Sequence, residues 1–327
     1  MALQIVATEA VPPAAERAFA DLGPIELDDG NNPGLLSSAQ ILIVRTRIVD
    51  GALFDRAVKL RVIARTGVGL DGIDLDEANR RQVPVVYAPD AGTLPIAEGT
   101  LALIFATTKR IVELNAVLVE GRWQHRYTQD IRDLAGATLG IVGLGRIGSE
   151  VARLAHALGM RVIAYDPRAP DPSTRRQVPF VEHMGLEELI GDADVVSLHC
   201  GLNDSSRGMI NRSLLSRAKT GAILINASRG GLVEGDDALL EALDRGWLSG
   251  IGLDVFESEP PDPASPLLQD RRVVSTPHAI GLTHAWNERV FNSLADDVRC
   301  LLNGDRPRCI ANPEILAGEA PTNGAYR

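Results

Sequence analysis

The stretch from Thr138 to Asp166 constrains the fold of this chain more than any other, and it reads TLGIVGLGRIGSEVARLAHALGMRVIAYD. The short apolar run Leu139–Val142 predicts a buried strand. A G-x-G-x-x-G pattern follows it, and apolar residues then recur at helical spacing. A second apolar run, Val162–Tyr165, predicts another strand. The stretch is therefore typical of a β-α-β unit in an α/β domain.

The three glycines of this pattern are placed for binding a dinucleotide. Gly143 allows a tight turn, Gly145 lets the backbone approach a pyrophosphate, and Gly148 lets the helix pack on the sheet. The helix N-terminus offers unpaired N–H groups to phosphates. Asp166 stands 18 residues after Gly148, where a carboxylate binds ribose hydroxyls and repels a 2′-phosphate. A glycine-rich turn without a ligand is the alternative, but the flanking strands, helix and acid favour an NAD site.

Length and composition limit the classes of protein that remain. The 327 residues predict two domains. A net charge of −10 and an isoelectric point of about 5.2 argue against nucleic acid or an anionic membrane as partner. Cys200, Cys300 and Cys309 are odd in number and lack metal-ligand spacing. We therefore expect reduced thiols, no metal and a cytoplasmic location. The N-terminus lacks a basic region and the longest apolar stretch is short, so we expect no signal or membrane-spanning segment.

The rest of the chain predicts two domains built on parallel sheets. Short apolar strands alternate with helical or turn segments over the first ninety residues, which predicts a smaller flavodoxin-like domain. Pro95–Glu120 has one long helical pattern that leads out of this domain, and Thr283–Asn303 has another that returns to it. The expected fold class is α/β, with two doubly wound parallel-sheet domains, a Rossmann NAD-binding domain being inserted in the substrate domain. The expected bounds are 1–98 for the first segment of the substrate domain, 99–286 for the NAD-binding domain and 287–327 for the C-terminal return.

Four residues whose side chains could take part in catalysis follow predicted strands in the second half of the chain. They are Arg229, Asp254, Glu259 and His278. Because the carboxyl ends of parallel strands meet at one edge of a sheet, we expect these side chains to converge where the nicotinamide would lie.

Five ordered motifs give a resemblance that covers nearly the whole chain. They are GLGRIG with Asp166, SLHCGLNDSSRGMIN (Ser197–Asn211), NASRGGLV (Asn226–Val233), LDVFESEP (Leu253–Pro260) and TPHAIGLT (Thr276–Thr283). In these motifs the chain resembles the D-isomer-specific 2-hydroxyacid dehydrogenases, which include phosphoglycerate dehydrogenases and hydroxypyruvate or glyoxylate reductases.

The resemblance implies a catalytic set of three residues. Arg229 matches the family's arginine, which holds a substrate carboxylate by two parallel hydrogen bonds and polarises the C2 carbonyl. His278 matches the acid–base histidine. Glu259 matches the carboxylate that orients this histidine and stabilises its imidazolium form. A surface arginine and a structural histidine are the alternatives, and the surrounding motifs argue against both.

The resemblance also implies the residues that contact the cofactor, NAD. They are Gly143, Gly145, Arg146, Ile147, Gly148, Asp166, His199, Cys200, Ser206, Ala227, Ser228, Asp254, His278 and Gly281. Among them, Asp254 matches the residue that faces the nicotinamide carboxamide. Capping of a helix is its alternative role.

Substrate binding is expected to involve Arg229, His278 and two stretches of the first domain. Val68 and Gly69 lie in a loop that resembles one whose backbone N–H groups hold the substrate carboxylate. Arg45 begins the stretch Arg45-Thr-Arg47, which resembles one near the substrate phosphate of phosphoglycerate dehydrogenases but recurs in relatives with other substrates. A phosphate site and a site without phosphate both remain open.

The expected function is reversible hydride transfer between NAD and C2 of a D-2-hydroxy or 2-oxo acid, including phosphorylated or sugar-derived acids. The resemblance implies a catalytic cleft between the domains and a homodimer with much of its contact in Pro95–Leu134. An NAD(H)-sensing scaffold protein and an NAD-dependent phosphite oxidase are the alternatives. Gly92 and Pro95 replace the asparagine and serine that the family usually has in its first hinge, which leaves the substrate open.

Overall fold

The computed structural model describes residues 3–32, 34–127, 130–168 and 177–316, and it divides into two compact units. Unit 1 comprises residues 1–92 and 283–327, and unit 2 comprises residues 93–282. The bounds expected from the sequence, after Glu98 and Trp286, lie inside the helices that begin at Thr93 and His284. The domain assignment made from the sequence stays a prediction.

Unit 1 contains a sheet of five parallel strands in the order β2-β1-β3-β4-β5. Its strands are β1 (Ile5–Ala7), β2 (Ile25–Leu27), β3 (Ile41–Val44), β4 (Val62–Arg65) and β5 (Val85–Tyr87). Its helices are α1 (Pro13–Phe19), α2 (Leu35–Ser38), α3 (Gly51–Arg56), α4 (Leu75–Arg80) and α12 (His284–Asn303). The strand order reverses between β1 and β3, as in flavodoxin-like sheets.

Successive strand residues point to opposite sides of the sheet. Because the residues on both sides are apolar, helices cover both faces. Ile41 and Ile43 share one apolar cluster with Phe19 of α1 and Phe291 of α12. Leu42, between them, belongs to the cluster on the other face, where α2, α3 and α4 contribute. Continuous apolar strands of this kind are typical of parallel sheets buried on both faces.

Unit 2 contains a sheet of seven parallel strands in the order β12-β11-β10-β9-β6-β7-β8. Its strands are β6 (Thr138–Val142), β7 (Arg161–Tyr165), β8 (Glu182–His183), β9 (Val195–Leu198), β10 (Ala222–Asn226), β11 (Leu248–Leu253) and β12 (Val273–Ser275). Its helices are α5 (Thr93–Thr108), α6 (Ile111–Val119), α7 (Arg146–Ala157), α8 (Leu186–Asp192), α9 (Arg212–Leu215), α10 (Asp236–Asp244) and α11 (Pro266–Gln269). Two parallel sheets with helices confirm the predicted α/β fold class.

The prediction of one helix over Pro95–Glu120 is wrong, because the segment forms α5 and α6. The break falls at Arg110, whose backbone adopts the left-handed conformation with a φ of 53°. Its buried side chain donates to the Ser249 carbonyl at 2.6 Å and pairs with Glu113 at 3.0 Å. These bonds hold a conformation that helices exclude. The apolar spacing continues across the break, so the sequence pattern does not reveal it.

The sequence pattern also missed two short strands and two short helices. They are β2, β8, α2 and α11, each of two to four residues. Such lengths are too short for a period of 2 or 3.6 to be recognised. Within the described ranges, no helix combines the length and apolarity that crossing a membrane requires.

Candidate active site

The predicted cofactor residues follow strand ends at one edge of the unit 2 sheet. The strand order reverses between β6 and β9, and open α/β sheets bind ligands in the crevice at such a reversal. Gly143 follows β6 and His199 follows β9. The His199 N–H donates to the Val142 carbonyl at 2.7 Å, so the glycine turn and the loop after β9 lie side by side.

The glycines of the turn fit a dinucleotide for different physical reasons. A Cβ atom at Gly143, whose φ is +100°, would lie 2.6 Å from the Cys200 nitrogen. A Cβ atom at Gly148 would lie 2.1 Å from the Gly143 oxygen. Around Gly145, by contrast, no atom of another described residue, apart from its neighbours in the chain, lies within 4 Å of that position. Gly145 is the N-cap residue of α7, so its open side leaves room for phosphates at the helix N-terminus. The first two residues of α7 are Arg146 and Ile147, both predicted cofactor residues.

Asp166 follows β7 and holds the glycine turn through its carboxylate. Its Oδ2 accepts from the Leu144 N–H at 3.0 Å, and its Oδ1 accepts from the Arg168 N–H at 3.0 Å. Only 8% of its side chain is exposed. Each carboxylate oxygen has a second lone pair, so the geometry is compatible with additional bonds from ribose hydroxyls.

His199 and Cys200 present neutral side chains beside the glycine turn. The Ser197 Oγ lies 2.8 Å from the His199 Nε2. Burial lowers the pKa of His199 to about 4 and raises the pKa of the Cys200 thiol to about 11. Both groups are therefore uncharged at neutral pH. The Cys200 carbonyl accepts from the Ser228 Oγ at 2.5 Å, which joins the loops after β9 and β10.

The other predicted cofactor residues lie in turns that follow β9, β10 and β12. The Ser206 Oγ donates to the Gly201 carbonyl at 2.8 Å and so closes the loop after β9. Ala227 is the first residue after β10. A Cβ atom at Gly281 would lie 2.8 Å from the Ile96 Cγ1, so this turn tolerates only glycine without rearrangement.

Arg229 is held by a rigid turn after β10. The Asn226 side chain accepts from the Ser228 N–H at 3.1 Å and donates to the Arg229 carbonyl at 2.9 Å. A Cβ atom at Gly230 would lie 2.0 Å from the carbonyl carbon of Phe256. The turn can therefore pack against the loop after β11 only because residue 230 is glycine. This contact brings the Arg229 backbone close to the loop that carries Glu259.

Glu259 and His278 form a hydrogen-bonded pair. The Glu259 Oε2 lies 2.8 Å from the His278 Nδ1, and its Oε1 accepts from the Phe256 N–H at 3.1 Å. Burial raises the pKa of the Glu259 carboxyl, but the hydrogen bond and charge of His278, the Phe256 N–H and the Arg229 charge together bring it below its ordinary value. The carboxylate is thus ionised at neutral pH. About a third of the His278 side chain is exposed, and its Nδ1 is the ring nitrogen that faces Glu259.

The backbone at His278 adopts the left-handed conformation, with a φ of 52°. This conformation is strained for a residue with a Cβ atom. The buried Asp254 carboxylate stabilises it from both sides, since its Oδ1 accepts from the Thr276 Oγ1 at 2.7 Å and from the Ala279 N–H at 2.8 Å. Burial raises the pKa of the Asp254 carboxyl. The hydrogen bonds from Thr276, Ala279 and Ile280, together with the charge of His278, oppose that rise. Asp254 therefore positions the loop that carries His278.

In unit 1, the predicted substrate residues lie in the loops after β3 and β4. The Arg65 Nε donates to the Gly69 carbonyl at 2.9 Å, which folds the loop that contains Val68. The Arg45 guanidinium lies 5.5 Å from the centroid of the Trp286 ring. Trp286 itself is buried in the apolar cluster that includes α12, so it contributes to packing.

Sequence reasoning did not foresee two kinds of functional contact. It did not identify Asn226 as the clamp of the Arg229 turn, although an asparagine directly after a strand is a common turn former. It also missed Glu9 and Asp28, which bond the Arg45–Arg47 stretch. Both acids directly follow or nearly follow strand ends, which is the signal that could have revealed them.

Comparison with known proteins decides the family. Residues 101–279 match the family described as D-isomer specific 2-hydroxyacid dehydrogenase, NAD binding domain. This match covers more than half of the chain. The chain belongs to that family. The resemblance inferred from the five motifs is therefore confirmed, and NAD is the cofactor of this family's domain.

Members of the family that are named for different activities are similar to this chain. A glyoxylate reductase of Korarchaeum cryptofilum is 39% identical, over 84% of this chain and 82% of the relative. A D-3-phosphoglycerate dehydrogenase of Methanocaldococcus jannaschii is 35% identical over 95% of this chain, which spans 59% of that relative. The crystal structure of a D-lactate dehydrogenase from Aquifex aeolicus, complexed with NAD and lactic acid, has a TM-score of 0.79 and 28% identity, covering 92% of this chain and 96% of that one. The class of reaction is shared, while the acid differs among them.

Proposed function

We propose that Arg229, Glu259 and His278 carry out reversible hydride transfer between NAD and C2 of a D-2-hydroxy or 2-oxo acid. The observation that carries this proposal is the Glu259–His278 hydrogen bond of 2.8 Å, on a loop next to the rigid turn of Arg229. A base held by a carboxylate, with a guanidinium nearby, is the set that acid–base chemistry at a carbonyl requires.

In this mechanism the side chains bind, polarise and transfer a proton. Arg229 holds the substrate carboxylate by paired hydrogen bonds and draws charge toward the C2 oxygen. The His278 imidazolium donates its Nε2 proton to that oxygen in reduction, and the neutral imidazole takes it back in oxidation. Glu259 stabilises the imidazolium and fixes the ring through Nδ1. NAD supplies or accepts the hydride when it is bound.

We assign the cofactor contacts to the residues of unit 2 that follow β6, β7, β9, β10, β11 and β12. The glycine turn and the N-terminus of α7 would hold the pyrophosphate, and Asp166 would hold the ribose. Asp254 would contact the nicotinamide carboxamide while it supports the His278 loop. In unit 1, we assign substrate binding to Arg45 and to Val68 and Gly69, whose loop resembles one that holds the substrate carboxylate through backbone N–H groups.

The similarities favour a dehydrogenase over the two alternatives. The similar proteins are named as a glyoxylate reductase, a D-3-phosphoglycerate dehydrogenase and a D-lactate dehydrogenase. They support neither an NAD(H)-sensing scaffold protein nor a phosphite oxidase. A 2-hydroxy or 2-oxo acid is therefore the proposed small-molecule partner.

The exposed side chains of α6 and of the turn after it support a homodimer. In the described residues of this segment, Val119 is 78% exposed and Tyr127 is 81% exposed. The other large apolar side chains left exposed there are Ile111, Val112, Leu118, Trp123 and Ile131. Many exposed large apolar side chains in one segment are typical of a protein interaction site. We propose that a second copy of the chain covers it.

We also propose a cytoplasmic location. Cys200, Cys300 and Cys309 are separate thiols in the structure, which is usual for proteins of reducing compartments.

The test of the proposed activity is the oxidation of NADH in the presence of single 2-oxo acids. Glyoxylate, hydroxypyruvate, pyruvate and 3-phosphohydroxypyruvate form the panel, each with NADH and with NADPH. We expect turnover of at least one acid that depends on His278 and Arg229. Turnover of none of them, with NADH binding intact, would contradict the proposed function.

A further inference from the structure

Glu9 fills an anion-binding site made by the loop after β3. Its Oε1 accepts three hydrogen bonds, from the Thr46 N–H at 2.8 Å, the Thr46 Oγ1 at 2.6 Å and the Arg47 N–H at 3.1 Å. Successive backbone N–H groups with a hydroxyl beside them form the kind of concave site that binds anions. Here a carboxylate of the chain itself occupies that site.

The position of this site in the sheet links it to ligand binding. Glu9 lies two residues after β1, and Thr46 lies two residues after β3. These strands are neighbours, and the strand order reverses between them. The crevice outside such a reversal is where open α/β sheets take their ligands. Glu9 therefore places a negative charge where a ligand anion would bind.

Asp28 binds the guanidinium of Arg47, which belongs to the same loop. The Arg47 Nη1 donates to the Asp28 Oδ2 at 2.6 Å, and only 1% of the Asp28 side chain is exposed. A buried carboxylate that loses its cation is strongly destabilising, so Arg47 cannot turn toward a ligand without a large cost. Arg45, on the other side of Thr46, lies over the Trp286 ring.

These contacts occupy the groups that would otherwise bind a substrate phosphate. A phosphate is recognised by guanidinium groups and by successive N–H groups, and here Asp28 holds the guanidinium of Arg47 while Glu9 holds the N–H groups. A phosphate with about two negative charges would also be repelled by the Glu9 carboxylate. We infer that Glu9, supported by Asp28, determines substrate specificity by excluding 2-oxo acids that carry a phosphate, so that the enzyme selects acids with a single anionic group.

This inference rests on the proposed function, and two variants separate charge from shape. Glu9→Gln keeps an oxygen acceptor for the N–H groups but removes the charge, and Glu9→Ala empties the site. Glu16→Gln is the matched control because Glu16 is an exposed acid of α1. It removes the same charge from the same unit without changing the Arg45–Arg47 loop.

The kinetic arm compares hydroxypyruvate with its 3-phosphate ester, using NADH. In the wild type we expect kcat/KM to favour hydroxypyruvate by about tenfold or more, since like charges in contact cost several kcal/mol. The ratio should move toward the phosphate ester by about tenfold in Glu9→Ala and by less in Glu9→Gln, and it should stay unchanged in Glu16→Gln. A wild type that prefers the ester would overturn the inference, and so would equal ratios of kcat/KM in wild type and Glu9→Ala. In either case, turnover of hydroxypyruvate by the wild type would leave the proposed function intact.

A binding arm does not depend on turnover. Inorganic phosphate is titrated calorimetrically into wild type, Glu9→Ala and Glu16→Gln. We expect phosphate to bind Glu9→Ala at least about tenfold more tightly than the other two proteins, because its N–H groups are then unoccupied. Equal affinities in all three would overturn the inference even if the proposed activity is present.

Discussion

At the scale of single residues, three acids position other functional groups. Glu259 holds the His278 ring, Asp254 holds the strained backbone at His278, and Asp166 holds the glycine turn through the Leu144 N–H. Each acid follows a strand of the unit 2 sheet, where N–H groups of neighbouring loops converge. A carboxylate has several acceptor sites, so one side chain can support a loop and still bind a ligand.

Asp166→Ala should narrow the preference for NADH over NADPH. The wild-type carboxylate would repel a 2′-phosphate, and Arg168 lies next to it to stabilise such a phosphate once the acid is removed. We expect the ratio of kcat/KM values for the two cofactors to fall by about tenfold or more. Asp76→Ala, which changes an exposed acid of α4 in unit 1, is the control. Equal use of both cofactors by the wild type would show that Asp166 does not set the preference.

At the scale of elements, the β6–α7 turn combines two different demands on glycine. Gly143 and Gly148 are required by the protein's own packing, because a Cβ atom there would collide with backbone. Gly145 has open space around it and a φ of −80°, which other residues adopt without strain. The fold itself therefore does not require glycine at this position, and we propose that the missing side chain leaves room for the cofactor pyrophosphate.

Gly145→Ala should separate cofactor binding from stability. A glycine replaced where the backbone is compatible stabilises a protein by about 0.4–1 kcal/mol, so we expect an unchanged or slightly raised Tm. The added methyl group should obstruct the pyrophosphate and raise the Kd for NADH by about tenfold or more. Gly148→Ala is the contrasting variant, with a lowered Tm. Normal NADH affinity in Gly145→Ala, measured by fluorescence titration, would mean that the pyrophosphate binds elsewhere.

Sequence patterns predicted the long, periodic elements well and the local exceptions poorly. The elements β6, α7 and β7 were predicted from Thr138–Asp166 because the apolar runs, glycines and helical spacing of this stretch agree with one another. The break at Arg110 was not predicted, since it depends on a hydrogen bond to Ser249, which lies far away in the sequence. The pairing of Glu9 with Thr46 was missed for the same reason. Contacts between distant loops require the three-dimensional arrangement of the strands.

At the scale of the whole molecule, the exposed apolar surface of α6 indicates how the chain assembles. Val117 is the one buried residue of this helix, whereas a surface helix of a monomer usually has an apolar stripe facing its own core. The helix thus presents apolar side chains that its own unit does not cover. A homodimer formed through this surface is the assembly we propose.

Val119→Lys should weaken this homodimer. A lysine at the centre of an apolar interface must be desolvated, which costs several kcal/mol unless the charge is paired. We expect light scattering at micromolar concentration to report a dimer for the wild type and a shift to monomer for the variant. Val58→Lys is the matched control, because Val58 is 69% exposed in unit 1. A monomeric wild type would remove the proposal, and a dimeric Val119→Lys would place the interface elsewhere.

The central claim is that Glu259 and His278 act as one acid–base unit. In reduction His278 must start protonated, and the Glu259 carboxylate stabilises that charge. The pKa of Glu259 is lowered by the hydrogen bond and charge of His278, which outweigh burial. The carboxylate is therefore charged above this lowered pKa. Its stabilisation of the positive charge on His278 is lost only as the pH falls through that value. Glu259→Gln retains the size of the side chain but removes this charge at every pH.

The most direct measurement is the pH profile of kcat/KM for reduction in wild type and Glu259→Gln, with Glu257→Gln, an exposed neighbour, as control. Glu259→Gln removes the negative charge beside the His278 ring, so the alkaline fall of the rate should begin at a lower pH than in the wild type. The control should follow the wild type. A profile unchanged in Glu259→Gln would show that Glu259 is not the partner of His278 and would contradict the assignment of the catalytic set.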